Sequence, residues 1–294
     1  MPDETIVLPK YPVYIPTRGR WHQPRAMTVR FLMRDRVPFH VVCVPGEREQ
    51  YTELVGDDRV LVLPDDEHDL MLARNWIKQH ATDAGHRRHW QLDDNMKGCY
   101  RWHRGKRLPC RAGIALRVCE DFTDRYTNVA VAGLNYTTFA RTSGPPFNTN
   151  VHVYSCSLVN NEMPHRWRLK YNDDTDLCLQ VLADGWCTIL LNAFLIEKVH
   201  TMTVAGGNTN TLYEGDGRLR MARSLERMWP GVVTTRRRFQ RPQHVITGAW
   251  RKFDTPLIRD PDVAVGDTPN EYGMELRARG DVKSKRLRAM VVDG

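Results

Sequence analysis

The sequence predicts an α/β fold built on a mixed, mainly parallel sheet flanked by helices, with a basic extension at its C-terminal end. Three observations carry this expectation. Short apolar runs alternate with amphipathic segments over roughly the first 130 residues, most runs stop at a loop rich in Pro, Gly or charge, and one of them ends in the adjacent carboxylates Asp93 and Asp94. The resulting order, βαβαβαβ, implies parallel strands joined by right-handed crossovers. Ligands of such sheets bind beyond the carboxyl ends of the strands.

Each element has its own justification. Residues 13–16 form an apolar run closed by Pro16, and Thr17-Arg18-Gly19-Arg20 follow as a loop. Pro24 suits the first turn of a helix, which is expected to run to about Arg36. Residues 39–44 read as a second strand closed by Pro45-Gly46, 47–55 as a helix and 60–63 as a third strand. A helix is expected over 69–81, where Leu70, Ala73, Trp76 and Ile77 recur at helical spacing. The strand 89–92 then delivers the Asp pair. Beyond it, 97–111 carries six Lys or Arg, no acid, and the aromatics Tyr100 and Trp102. A helix is expected over 111–126, strands over 128–141 and 151–159, and a helix over 177–182 that opens from Asn172-Asp173-Asp174-Thr175-Asp176 and ends at Asp184-Gly185-Trp186. A strand over 187–199 delivers His200, and 201–217 is a loop rich in Gly, Thr and Asn. No internal repeat or low-complexity linker divides the chain.

Composition bounds the function. A length of 294 residues with 41% hydrophobic content supports one large domain, or a core with an appended module, and excludes a disordered chain. No apolar run is long enough to span a bilayer and no charged-then-apolar leader follows Met1, so a soluble, cytoplasmic protein is expected. Seven scattered cysteines without a Cys-x-x-Cys pair argue for reduced thiols, most of them buried as small hydrophobes. Charge is uneven: residues 1–217 hold 26 basic and 26 acidic side chains, and 218–294 hold 17 and 9, so the whole +8 excess lies in the last quarter. Its densest clusters, 236–241 and 283–288, read either as phosphate-facing surface or as a solvated basic face.

The Asp93-Asp94 pair offers the hard oxygen ligands that Mg²⁺ or Mn²⁺ prefers, in sites usually completed by substrate phosphates and water. The competing reading is a solvated turn. At this point a family resemblance enters. Residues 172–186 with the strand to His200 resemble the acceptor half of the GT-A nucleotide-sugar glycosyltransferases, whose sheet is Rossmann-like. Tyr14-Ile15-Pro16-Thr17-Arg18 resembles the first strand and uridine-contacting loop of that fold, Arg74-Asn75 its nucleotide-side signature, and Leu92-Asp93-Asp94-Asn95 its Asp-x-Asp motif. More narrowly, Ile15-Pro16-Thr17-Arg18-Gly19-Arg20, the Asp-Asp-Asn end and the basic extension resemble the phage TET/JBP-associated glycosyltransferases, which modify hydroxymethylated pyrimidines in DNA. The resemblance implies a core over 1–217, with a nucleotide-sugar half at about 11–127 and an acceptor half at 128–217, followed by a DNA-contacting extension over 218–294.

The expected chemistry is transfer of a sugar from a UDP-sugar to the hydroxyl of a 5-hydroxymethylpyrimidine, 5-hydroxymethylcytosine foremost, in the cytoplasm of a phage-infected host. A divalent Mn or Mg ion would stabilise the departing diphosphate. Asp94 is the first protein ligand, Asp93 orients the ribose or shares the ion, and His200 adds a nitrogen that suits Mn²⁺. Thr17, Arg18, Arg20, Arg74 and Asn75 are the nucleotide contacts, Arg being suited to bidentate phosphate recognition, and Gly207 lets backbone approach the diphosphate. By resemblance Asp174 is the base that deprotonates the acceptor, beside Asp173, which stands where Glu is more usual. Capping of a helix N-terminus is the competing role for both. Arg101, Trp102, Arg104, Lys106 and Arg107, with Arg236, Arg237 and Arg238, are the expected nucleic-acid contacts. Two other functions fit the residues: transfer to a protein or glycan, and a non-catalytic nucleic-acid-binding module on a transferase fold.

Overall fold

The structure, a computed structural model, describes residues 6–22, 26–141, 144–199, 216–238 and 240–263. Pro24, His200, Gly207 and the 283–288 cluster lie outside the described residues. The N-terminal part of the chain holds strands β1 (Val13–Pro16), β2 (His40–Cys43), β3 (Val60–Val62) and β4 (Arg88–Leu92), with helices α1 (Met27–Arg34), α2 (Arg48–Val55) and α3 (Leu70–Asp83) between them. Period-two alternation sorts their side chains between two layers. Val13, Ile15, Val41 and Cys43 join the core that includes residues of α1 and α2, while Tyr14 and Val42 pack with Ala73, Ile77 and Ala81 of α3.

Strands β5 (Met96–His103) and β6 (Lys106–Cys110) make a hairpin of the basic segment, and α4 (Ala112–Thr123) follows. Its two-residue loop, Arg104-Gly105, has φ of +48° and +76°. Positive φ at both central positions marks the turn that matches strand twist. Then come β7 (Val129–Tyr136), β8 (Phe147–Thr149), β9 (Cys156–Asn160), α5 (Asp173–Ala183) and β10 (Cys187–Lys198). The strand expected over 151–159 begins only at Cys156, because the amides of Val151 and Val153 are taken by the Thr188 hydroxyl and the Cys178 sulfur instead of a neighbouring strand.

The sheet runs β3-β2-β1-β4-β9-β7-β10-β5-β6, with β8 also on β10. Strands β3, β2, β1 and β4 are mutually parallel, β9 is antiparallel to both β4 and β7, and β10 is parallel to β7. With β5 antiparallel to both β10 and β6, seven strands point their carboxyl ends to one edge, where the antiparallel β9 and β5 begin. Glycine is required at Gly133, where β7 crosses β9: a Cβ there would stand 2.2 Å from the Cys156 carbonyl oxygen.

The extension contributes α6 (Gly217–Met228) and the hairpin β11 (Val233–Arg238) and β12 (Arg241–Ile246). It is fastened to α5. Leu225, Val232 and Val233 pack on Leu179 of α5, and the buried Asp176 carboxylate accepts from the Trp229 indole at 2.7 Å and from Arg168 at 2.9 and 3.0 Å. Beyond β12, the Thr255, Pro256 and Ile258 carbonyls accept from Asn150, Asn128 and Thr127. Among the described residues no helix is long and apolar enough to cross a membrane.

Candidate active site

The Asp93-Asp94-Asn95 turn stands at the carboxyl edge and is held from three sides. Thr28 of α1 donates its hydroxyl to the Asp93 carbonyl at 2.6 Å and accepts from the Met96 amide, the Asp93 amide donates to the Ser155 carbonyl, and the Val199 amide donates to the Asn95 carbonyl. The two carboxylates face different partners. Asp94 is buried, pairs with Arg20, and accepts from Thr17 Oγ1 at 2.8 Å. Burial pushes its pKa up, and Arg20 and Thr17 only partly oppose that. Asp93 accepts from Lys198 Nζ at 2.6 Å and Arg74 Nη2 at 3.0 Å. Burial disfavours its charge too, yet these two cations hold the carboxyl below the usual range.

Arg74 joins the two halves of the molecule. Its Nε lies 2.9 Å from Asp173 Oδ2 at the start of α5, and its Nη1 donates to Gln91 at 3.2 Å. Behind it runs a buried relay: Gln91 Nε2 approaches His89 Nε2 at 2.9 Å, and His89 Nδ1 meets Asn161 Oδ1 at 2.6 Å. Since the Gln amide is a donor and the Asn oxygen an acceptor, His89 is neutral with its proton on Nδ1. Desolvation agrees, pushing its pKa down to about 3. His89 and Gln91 alternate along β4 and Asp93 follows at its end, and Gln91 and Asp93 both meet Arg74 of α3.

Across the edge, Asp174 pairs with His152 Nε2 at 3.1 Å and accepts from the Thr175 amide at 2.7 Å. Burial works against its ionised form, but the adjacent His152 outweighs that and holds the carboxyl well below the ordinary carboxylate range. Asp173 moves the other way: burial raises its pKa, the charges of Asp174 and Asp93 add to the rise, and Arg74 resists. The gap between Asp93 and Asp174 is rimmed continuously. Lys198 Nζ donates to Ser155 Oγ at 2.8 Å, Ser155 Oγ and the Tyr136 hydroxyl share a hydrogen bond at 2.5 Å, Tyr136 stacks on Tyr154 at 4.7 Å, and Tyr154 lies 4.6 Å from His152.

The structure thus brings together Thr17, Arg20, Arg74, Asp93, Asp94, Asp173 and Asp174 of the expected residues. Arg18 lies beside them but is exposed and donates to the backbone oxygens of Asp66 and His68. Asn75 does not reach the edge, because both ends of its amide bind the backbone of Trp167, at 2.7 and 3.0 Å. Arg101, Trp102, Arg104, Lys106 and Arg107 do not join the site either. Strand β5 starts beside the Asp pair and runs away from it, so the hairpin tip lies about 24 Å down the strand at some 3.4 Å per residue. Arg236, Arg237 and Arg238 are exposed at the tip of the other hairpin, β11–β12.

Sequence reasoning missed Lys198, His152, Ser155 and Tyr136. Lys198 had a legible signal, since it falls near the end of the strand expected over 187–199, two residues before His200 in sequence. His152 and Ser155 sit in irregular backbone, where no periodicity marks them.

The protein is a glycosyltransferase, with acidic pairs from two parts of its chain meeting at the carboxyl edge of an α/β sheet. Within that class the chain belongs to the TET-associated glycosyltransferase family, whose model matches residues 11–207. No match is found among curated proteins. Similar solved structures include GalNAc-T7 with UDP, GalNAc and Mn²⁺ (TM-score 0.42, 10% identity, 67% of this chain and 45% of that one). Another is a putative nucleotide-diphospho-sugar transferase from Desulfovibrio desulfuricans G20 (TM-score 0.40, 12% identity, 75% and 98%). The chain spans just under half the length of the GalNAc-T7 chain.

Proposed function

We propose that the protein transfers the sugar of a UDP-sugar to the hydroxyl of a 5-hydroxymethylpyrimidine in DNA, with 5-hydroxymethylcytosine as the expected base, in a divalent-metal-dependent reaction. The observation that carries this reading is the pairing of an ionised Asp174 with His152, on a helix tied through Asp173 and Arg74 to the Asp93-Asp94 turn. One carboxylate is thereby kept ready to accept a proton at a fixed distance from the nucleotide side. In the reaction the acceptor hydroxyl gives its proton to Asp174 and its oxygen bonds to the anomeric carbon. The bond from that carbon to the diphosphate breaks, and its electron pair leaves with UDP.

The donor set fits a cation of the Mg²⁺ or Mn²⁺ kind in a site completed by phosphate and water, since Asp93 and Asp94 bring two hard-oxygen carboxylates to the ligand edge. Among the described residues no group of three or more His, Cys, Asp or Glu could hold a metal, so a fully protein-built cage is not the fitting form. Asp94 would hold the ion once Arg20 turns from it, with Asp93 and, outside the described residues, His200 as further donors. When bound, the metal stabilises charge on the leaving diphosphate. Lys198, bound to Asp93 from the end of β10, adds a protein cation to that task, and Arg20, Thr17 and Arg18 line the nucleotide approach. Gly207, outside the described residues, would bring backbone to the diphosphate.

The family description, which names an association with TET, and the exposed Arg236, Arg237 and Arg238 support DNA as the acceptor. The test is release of UDP from UDP-glucose or UDP-N-acetylglucosamine with Mn²⁺, in the presence of hydroxymethylcytosine DNA, unmodified DNA, a glycan or a peptide. Stimulation by the hydroxymethylated DNA alone is expected. Stimulation by glycan or peptide alone would replace the acceptor, and no turnover with any acceptor would favour a non-catalytic binding module.

A further inference from the structure

Beside Asp174 the carboxyl edge carries aromatic rings that the transfer chemistry does not itself use. Tyr136 ends β7, Phe139 follows in the next turn, and Tyr154 precedes β9. Their centroids lie 4.7 Å (Tyr136 to Tyr154), 5.4 Å (Phe139 to Tyr154) and 5.9 Å (Tyr136 to Phe139) apart. Tyr136 is anchored by its hydroxyl to Ser155, whereas Phe139 is 51% exposed. An anchored ring with an exposed neighbour is a rigid apolar shelf open to solvent. The shelf adjoins the chemistry directly, because His152 touches the Tyr154 ring on one side and Asp174 on the other.

Charge identifies the occupant. The β11–β12 hairpin is fastened beside the helix that carries Asp174: Ile246 of β12 packs with Leu179 of α5, and the Asn172 side-chain amide at the start of α5 donates to the Met221 carbonyl of α6 at 3.0 Å. In its register Thr235 faces His244, and Arg236 and Arg237 follow on the next two rungs, exposed. An aromatic shelf bordered by exposed guanidinium groups matches a base attached to a phosphate chain, the pattern by which proteins hold unstacked nucleotides.

We infer that Tyr136, Phe139 and Tyr154 form a stacking platform that takes the acceptor pyrimidine out of its duplex and presents its hydroxymethyl group to Asp174, with the flanking strand lying along the β11–β12 hairpin. The inference rests on the DNA reading above and adds base extrusion, which enzymes acting on a single base commonly use. It also relocates the acceptor contact from Trp102 to this shelf.

The test uses the full chain and a duplex bearing one hydroxymethylcytosine, with 2-aminopurine beside it. Phe139→Ala is expected to raise the KM for the duplex by roughly 5- to 100-fold, the range that loss of one base-stacking ring produces. Phe139→Trp should restore it. Brightening of 2-aminopurine on binding should occur with the wild-type protein and disappear with the Ala variant, while UDP-sugar affinity measured calorimetrically without acceptor is unchanged. An unaltered KM and unaltered brightening in Phe139→Ala, with the wild type modifying DNA normally, would overturn the platform alone. Wild-type transfer to a glycan or peptide and to no oligonucleotide would overturn the DNA reading and the platform with it.

Discussion

Asp94 and Asp174 carry opposite electrostatic histories. Asp94 is a buried carboxylate paired with the Arg20 guanidinium, so losing it removes the proposed metal ligand from the sheet edge without opening the apolar core. Asp94→Ala is therefore expected to abolish transfer at limiting Mn²⁺ while the far-UV circular dichroism stays native; near-normal turnover in a metal titration would sink the assignment. Asp174 is held below the carboxylate range chiefly by His152 against the opposing effect of burial, with Arg74 helping and Asp173 beside it. Removing the imidazole in His152→Phe leaves burial unopposed on that side, so the Asp174 pKa rises. A base must be deprotonated to work, so the acid limb of kcat/KM should move to higher pH, and an acid limb that stays in place would show that His152 does not act through Asp174. Much of this pairing was legible: both Asp pairs and Arg74 follow from short motifs. His152 was not, because a contact between irregular backbone and a helix start leaves no mark in sequence spacing.

The elements divide in the same way. Strands β1 to β4 and helices α1 to α3 were readable within a few residues, since local periodicity and loop punctuation decide them. Strand order across the sheet was not, because β9 inserts between β4 and β7 by non-local pairing that no local pattern records. The basic segment 97–111 shows what this costs. Its composition promised nucleic acid, but pairing with β10 aims it away from the carboxyl edge. The β11–β12 hairpin, unread in the sequence except for its charge, is a basic element packed by Val233 and Ile246 on α5, the helix that carries Asp174. Neutralising Arg236, Arg237 and Arg238 together should flatten the salt dependence of DNA binding, by close to 0.9 in the log–log slope for each phosphate that no longer meets a guanidinium. Neutralising Arg101, Arg104 and Arg107 should leave the slope near that of the wild type. Fluorescence anisotropy across a salt series measures both, and the reverse pattern would return the docking surface to the β5–β6 hairpin.

At the scale of the whole molecule, the core beneath the edge holds a buried ionisable group. Glu120 of α4 is fully buried, accepting from the Trp90 indole at 2.8 Å and the Lys10 amide at 2.7 Å, and burial pushes its pKa up to about 7 despite these donors. The folded state then binds a proton more tightly than the unfolded chain does. The Glu120 contribution to stability should be greatest below the ordinary Glu pKa and be lost as pH rises from about 4.5 to about 7, an amount on the order of 3 kcal/mol. In Glu120→Gln this component should vanish from the pH profile of denaturant unfolding, and an unchanged profile would refute it. The uneven charge of the chain keeps its meaning at this scale, since the described part of the basic extension is fastened to the rest of the chain through Asp176, Trp229 and the strap over Thr127 and Asn128. Sugar transfer to a DNA hydroxyl by Asp174 is the claim on which the rest depends, and mass spectrometry of digested nucleosides tests it most directly. Hydroxymethylcytosine DNA incubated with a UDP-sugar and Mn²⁺ should yield a nucleoside heavier by one hexose or N-acetylhexosamine with the wild-type protein. With Asp174→Asn, which keeps size and donor binding, the yield should fall roughly 10²- to 10⁴-fold. Equal yields from the two proteins, or no added sugar on DNA from an enzyme that glycosylates another acceptor, would contradict it.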